Sequence, residues 1–241
     1  PAALSGGAVE GIKVRDLECH MALERYKPWW LRPTFGGREF TLEFETQFLF
    51  WRTADGRCGV AVPLISANLR AFFKSKNGKL VLAWTGNAED LPTGYAPLLY
   101  TTVGDDPLEV CEAAMADVSQ ALGQIRPRIA KPEPAFVDYL GWCTWDAFYH
   151  DVSADKLLEG IDSFLERDIP IRYVVLDDGW QTVNLENKKL LAFTPDKAKF
   201  PDGLLPVVAE AKMEMGIDFF GVWHTLQGYW NGVDPDGPLG Q

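Results

Sequence analysis

Three short runs of aliphatic and aromatic residues give the second half of the chain its most regular pattern. They cover residues 139–144, 174–176 and 218–222, and each one stops abruptly at polar and aromatic side chains. Those side chains are Trp145-Asp146, Asp177-Asp178-Gly179-Trp180 and Trp223-His224. Continuous apolar runs of this length are typical of strands buried in a parallel sheet.

Amphipathic helices are predicted between these runs. Ser153 is a suitable N-cap for a helix whose apolar residues recur at helical spacing, and residues 204–215 form a second helical pattern that ends at Gly216. Strands alternating with helices predict right-handed βαβ units around a parallel sheet. Because ligands bind at the carboxyl ends of such strands, we expect a site where the three runs end.

The first half of the chain has a different pattern, which predicts antiparallel β structure up to about residue 103. Strands are expected over residues 40–51, 57–65, 69–74 and 80–84, with a hairpin turn at Asn77-Gly78. Pro107 opens a predicted helix that runs to about residue 122. Three prolines within residues 126–134 resist helix and sheet, so this segment is the predicted domain linker.

Composition and charge argue against two classes of binding partner, nucleic acids and membranes. The chain has 241 residues, 47% hydrophobic, with a net charge of −11. An acidic protein repels phosphate backbones and anionic lipids, and no run reaches the ~18 apolar residues of a membrane helix, so neither nucleic acid nor a membrane is an expected partner.

The start of the chain and its cysteines bear on processing and on the cellular compartment. Residue 1 is Pro rather than Met and no signal-peptide pattern follows, so we expect a processed or truncated start. The four cysteines lack metal spacing and are expected to be buried free thiols of a cytoplasmic protein.

The residues after the strands have the chemistry of a sugar site. Carboxylates such as Asp177 and Asp178 accept hydrogen bonds from hydroxyls, and the indole of Trp180 can cover the apolar face of a sugar ring. The alternative is structural: Asp177 or Asp178 caps the next turn, and Trp180 belongs to the core. Asp146 is equally suited to capping, and His224 to a structural role. A metal site of Asp177, Asp178 and His224 is disfavoured because no second histidine lies nearby, so no metal or cofactor is expected.

Two adjacent tryptophans, Trp29 and Trp30, lie between prolines in a predicted loop of the first half. They either pack on their own domain or reach the site of the neighbouring domain.

Several segments resemble the raffinose synthases, alkaline α-galactosidases and seed-imbibition proteins of glycoside hydrolase family 36. These segments are GWCTWDAFY (residues 141–149), DDGWQ (177–181), VWHTLQGYW (222–230), the paired tryptophans, and ETQFL (45–49). The family usually has Ala where Thr225 stands. The motifs occur in the family's order and cover most of the chain.

The resemblance implies a fold class and a reaction. It implies a β-sandwich with a C-terminal helix over residues 1–125, then over residues 135–241 the first three βα units of a (β/α)8 barrel. Retaining chemistry on α-galactosides uses two carboxylates. The family's nucleophile lies in a Lys-x-Asp motif on strand four, with the acid/base aspartate later, so both are expected beyond Gln241 and no catalytic residue is expected within this chain.

The resemblance also implies roles for the candidate residues. Asp177 and Asp178 would bind galactose hydroxyls. The remaining substrate-binding candidates are Trp145, Asp146, Trp180, Trp223, His224, Trp29 and Trp30. The expected function is part of a retaining glycosidase or galactosyltransferase that binds a galactose-containing oligosaccharide or galactinol. The alternative is a non-catalytic carbohydrate-binding or scaffold protein on the same fold.

Overall fold

The computed structural model describes residues 4–66, 68–87, 89, 94–123 and 125–240. It divides into two compact units, Pro1–Pro132 and Glu133–Gln241. The division falls inside the proline-rich segment 126–134.

The first unit is built on a nine-stranded antiparallel sheet. Its strands are β1 (Leu4–Ile12), β2 (Leu17–Lys27), β3 (Trp30–Gly36), β4 (Thr46–Thr53), β5 (Cys58–Pro63), β6 (Ile65–Ser66), β7 (Leu69–Lys76), β8 (Lys79–Asn87) and β9 (Leu99–Gly104). The main path runs β1-β8-β7-β4-β2-β3, while β5 pairs with β4 and β9, and β6 with β7.

Alternation along β4 divides the first unit into two cores. Leu49 and Trp51 face a cluster that also contains Phe73 of β7 and Leu82 of β8. Phe48 and Phe50 point the other way, toward the helix α1 (Pro107–Leu122), which packs over β5 and β9. The side chain of Asp106 caps α1 by accepting from the backbone N–H groups of the first turn, at 2.8 and 3.0 Å.

The strand predictions for this unit were partly right. The hairpin turn at Asn77-Gly78 is confirmed, with φ of 52° and 72°. Residues 40–45 lie outside any strand, although Phe40 and Leu42 alternate with exposed residues and enter the core from this irregular segment. Trp29 and Trp30 lie in the tight β2–β3 hairpin and not in a free loop, and Trp30 is the first residue of β3.

The second unit contains a three-stranded parallel sheet in the order β10-β11-β14. The strands are β10 (Leu140–Cys143), β11 (Ile171–Leu176) and β14 (Phe219–Val222), and the helices are α2 (Trp145–Phe148), α3 (Ala154–Leu165) and α4 (Leu205–Met213). The predicted order of strands and helices is confirmed for these elements. A short 3-10 turn, Ala135–Asp138, precedes β10.

The core of this unit lies between the sheet and the two longer helices. Leu157 and Ile161 of α3 and Val207 of α4 pack against Val174 and Leu176 of β11, and all five side chains are buried. Ser153 caps α3 by accepting from the N–H of Lys156, as its sequence position predicts.

A hairpin inserted after β11 was not predicted. It consists of β12 (Gln181–Asn184) and β13 (Lys189–Pro195) and pairs with neither neighbouring strand of the parallel sheet. Backbone hydrogen bonds instead connect it to the segment after β14: Leu190 N–H donates to Gly232 O at 2.9 Å, and Asp234 N–H to Leu190 O at 2.9 Å.

Two further findings concern composition. In the described part of the chain, no helix has the length and hydropathy of a membrane span. All four cysteines are free thiols, but only Cys58 is buried; Cys143 is exposed, which corrects the expectation for that residue.

Candidate functional site

The register of the parallel sheet brings its three carboxyl ends to one edge. Cys143 of β10 is level with Val175 of β11, and Leu176 of β11 with Val222 of β14. The backbone continues this ladder beyond β14, since Trp223 N–H donates to Leu176 O at 2.8 Å. The segments that begin at residues 144, 177 and 223 therefore leave the sheet side by side.

Asp178 is the buried centre of this edge, with 2% of its surface exposed. Its carboxylate accepts from the hydroxyl of Tyr229 at 2.8 Å, from the indole N–H of Trp230 at 2.8 Å and from His150 Nε2 at 3.2 Å. A buried carboxylate needs such donors to stay charged. Sequence reasoning placed Asp178 on a sugar hydroxyl, whereas here its partners are protein donors from the segments after β10 and β14.

Asp177 points the other way, toward β10, as expected for adjacent residues at a strand end. It is half-buried, and its Oδ1 accepts from Asp178 N–H at 2.7 Å. Its Oδ2 accepts from the thiol of Cys143 at 2.9 Å. The buried hydroxyl of Thr144 accepts from the N–H of Asp177 at 3.0 Å. A carboxylate oxygen has two lone pairs, so both oxygens retain the capacity to accept from a ligand.

Burial and hydrogen bonding raise the pKa of two side chains that contact the aspartates. Burial, the hydrogen bond to Asp178 and its charge raise the pKa of Tyr229 far above its usual value, so the phenol stays protonated as a donor. Burial, followed by the hydrogen bond to Asp177, raises the pKa of the Cys143 thiol. Both groups therefore remain neutral donors to the two aspartates.

Trp145 and His150 form the β10 side of the site. Trp145 is half-buried, and its ring is perpendicular to that of His150 at 5.1 Å between centroids. Asp146 is exposed, and the first turn of α2 has no side-chain cap, so the capping alternative is not seen. The ammonium of Lys199 joins two segments by donating to the carbonyls of His150 and Gly179, the latter at 2.7 Å.

The tryptophans of the other two segments differ in exposure. Trp180 is 7% exposed and packs in the core, with its indole N–H donating to Trp223 O at 2.8 Å. It offers no open ring face, so the expectation that it covers a sugar is corrected to a core role. Trp223 is half-buried beside Trp230, with 5.3 Å between ring centroids, and His224 is exposed.

Three polar side-chain atoms of the unit are buried without a partner in the described structure. The amide nitrogen and oxygen of Gln181 and the hydroxyl of Thr225 have no hydrogen bond. Both residues follow strand ends of the candidate edge.

Trp29 and Trp30 belong to the first unit, where they are 40% and 53% exposed. Together with Arg25, Arg70 and Gln47 they line a cavity of about 290 Å³. The ammonium of Lys27 lies over the Trp30 ring at 4.8 Å. The structure therefore gives both rings surface exposure within their own unit.

Sequence reasoning missed five members of this edge: Cys143, His150, Lys199, Tyr229 and Trp230. Tyr229 and Trp230 lie in a recognised motif, but nothing in the pattern shows that they turn back onto Asp178. Lys199 stands between two elements with no local signal. In the described part of the chain, no group of three or more potential ligands is arranged to hold a metal ion.

Comparison with known proteins agrees with this arrangement of motifs. The family described as raffinose synthase or seed imbibition protein Sip1 matches residues 8–199. A probable galactinol–sucrose galactosyltransferase 6 of Arabidopsis thaliana is 31% identical over 89% of the chain and 34% of its own length. A galactinol–sucrose galactosyltransferase of Oryza sativa is 28% identical over 99% of the chain and 35% of its own length.

A similar fold occurs in a solved structure, the family 36 α-galactosidase AgaA of Geobacillus stearothermophilus. It superposes with a TM-score of 0.57 at 17% identity, covering 96% of the chain and 34% of that protein. The chain thus spans about a third of the length of these relatives. The match to the family profile extends over most of the sequence and includes two of the three strand-end motifs. The chain belongs to the raffinose synthase or seed imbibition protein family.

Proposed function

We propose that this chain supplies part of the galactose-binding subsite of a protein that processes α-galactosides, either as a glycosidase or as a galactosyltransferase. The observation that carries the proposal is the alignment of three strand ends, which places Trp145, Asp177 and Trp223 at one edge of a parallel sheet. Half-buried indoles beside a carboxylate with free acceptor capacity suit a sugar ring, which has apolar faces and hydroxyl edges.

The fold assignment follows the same reasoning. We propose that residues 135–241 are the first three βα units of a (β/α)8 barrel and that residues 1–125 are a β-sandwich domain with a terminal helix. The parallel order β10-β11-β14 with α3 and α4 on one face supports the barrel part. The antiparallel sheet, whose larger core contains Leu49, Phe73 and Leu82, supports the sandwich part.

The site residues divide by their contacts. Asp177 accepts a galactose hydroxyl, and the rings of Trp145 and Trp223 form apolar walls. Asp178 holds the segments that carry these walls, while Asp146 and His224 are exposed for hydroxyl contacts at the rim.

Galactose binding by the 241-residue chain tests the proposal. We expect saturable quenching or enhancement of tryptophan fluorescence by galactose, with glucose as the weaker-binding reference. Asp177→Ala should weaken binding about three- to tenfold, the effect of one lost hydrogen bond. Equal responses to both sugars, or an unchanged response in Asp177→Ala, would contradict the assignment.

Activity on an aryl α-galactoside separates the enzyme from its alternative. We expect no turnover by this chain, because none of its candidate residues forms the carboxylate pair that retaining hydrolysis requires. A longer protein that adds the Lys-x-Asp motif and turns over the substrate would support the enzyme. Galactose binding in a full-length protein without turnover would support the non-catalytic carbohydrate-binding alternative.

A further inference from the structure

His150 has two ring nitrogens in different surroundings. Nε2 lies 3.2 Å from Asp178 Oδ2, and the buried carboxylate can only accept, so Nε2 carries the hydrogen and donates. In the neutral ring Nδ1 is then a bare acceptor. Within the described part of the chain, no hydrogen bond to His150 Nδ1 is present.

The imidazole is also open to a ligand. Its side chain is 44% exposed, although the carboxylate that it contacts is 3% exposed. His150 therefore connects the buried anion with the surface of the site, next to the ring of Trp145.

The backbone of His150 is held in place from two sides. Lys199 donates to its carbonyl and to that of Gly179. Gly179 packs so closely that a Cβ there would lie 2.7 Å from the Cα of His150. This contact fixes the backbone of the segment after β10 against the turn after β11, and His150 Nε2 reaches Asp178 from that backbone.

We propose that His150 is a substrate-binding residue of this site, whose Nδ1 accepts a hydrogen bond from a sugar hydroxyl. Asp178 fixes the tautomer through Nε2, while Lys199 and Gly179 position the backbone. A carboxylate that orients an imidazole through one nitrogen determines what the other nitrogen can do. The inference rests on the proposed galactose site and adds to it a hydroxyl-binding group from β10's side of the edge.

Ring NMR of the histidines tests this directly. The chain has three histidines, so the ¹H–¹³C spectrum of the rings holds three Cε1 signals, with the His150 signal identified by its loss in His150→Gln. Galactose should move the His150 signal with the same half-saturation as the tryptophan fluorescence. The signal of His20, which is buried in the first unit beside Gly37 O, should not move.

Three variants separate hydrogen bonding from packing. His150→Phe keeps a ring beside Trp145 but has no nitrogen, and should weaken galactose binding about three- to tenfold. His150→Gln, whose amide can both donate and accept, should recover part of the loss. Tyr149→Phe, a neighbouring exposed ring, is the matched control and should bind like the unaltered chain.

The outcomes distinguish the two claims. If galactose binds but the His150 signal stays fixed, or His150→Phe binds as well as the unaltered chain, this inference fails and the proposed function stands. If the unaltered chain binds no galactose, the proposed function fails and takes the inference with it.

Discussion

The indole N–H of Trp180 donates to the backbone carbonyl of Trp223 at 2.8 Å, which joins the turn after β11 to the end of β14. Trp180→Phe removes this donor and part of a buried ring. We expect a loss of about 2 kcal/mol in the free energy of unfolding, measured by denaturant titration. Trp30→Phe, in an exposed hairpin, is the control and should change stability by less than about 0.5 kcal/mol.

Gly179 adopts φ +117° and approaches the backbone of His150. In Gly179→Ala the new Cβ meets backbone atoms at 2.7–3.0 Å, which no side-chain rotation can relieve. We expect a loss of about 3 kcal/mol or more in the second unit. Gly203→Ala is the matched control, because its φ is +79° but a Cβ there meets nothing within 4 Å. Gly203→Ala should lower the free energy of unfolding by about 1 kcal/mol. If both variants lost the same amount, the close contact with His150 would not be the cause.

Because of Tyr229, the free energy of unfolding should fall as the pH rises above about 10. The pKa of its phenol is raised above the usual 10.0 by burial and by Asp178, so the folded state keeps a proton that the unfolded state releases. The stabilisation is complete below about pH 10 and is lost as pH rises toward the folded value. Tyr229→Phe should lower stability by about 1–3 kcal/mol at pH 8. Its deficit should shrink between pH 10 and 11.5, whereas Tyr149→Phe should follow the unaltered chain throughout.

Glu45 makes the first unit sensitive to acid. Burial raises the pKa of its carboxyl, but the hydrogen bond and charge of Arg70, with the charge of Arg25, bring it below the usual 4.5. This stabilisation is present above pH 4.5 and is lost as pH falls through the folded value. Glu45→Gln should cost about 1 kcal/mol at pH 7. The difference should vanish near pH 3 in urea titrations, and a constant difference would show that the ion pairs are not its cause.

Local patterns were sufficient to predict much of the second unit. The apolar runs identified β11 and its neighbours because a buried parallel strand needs apolar side chains on both faces. Ser153 and, in the first unit, Pro107 identified helix starts because an N-cap and a first-turn proline are local signals. For the same reason the carboxylates at the ends of these strands could be located from the sequence.

The partners of those carboxylates could not be predicted. Tyr229 and Trp230 return to Asp178 from more than fifty positions away in sequence, and such a contact depends on the path of a loop rather than on any periodicity. The same holds for Trp180, whose burial depends on what covers the strand ends. In the first unit, residues 40–45 have an alternating pattern but pack as an irregular segment, because core burial alone does not require a strand.

The hairpin β12–β13 has a consequence for anyone who recombines members of this family. Its strand β13 exchanges backbone hydrogen bonds with the segment after β14 at Leu190, and Asn187 Nδ2 donates to Asp234 Oδ2 at 3.3 Å. The hairpin β12–β13 and the segment after β14 therefore need to be exchanged together. If only one of them is replaced by the segment of a relative, the backbone groups of the other lose the partners that they have here. Exchanging both together keeps these hydrogen bonds.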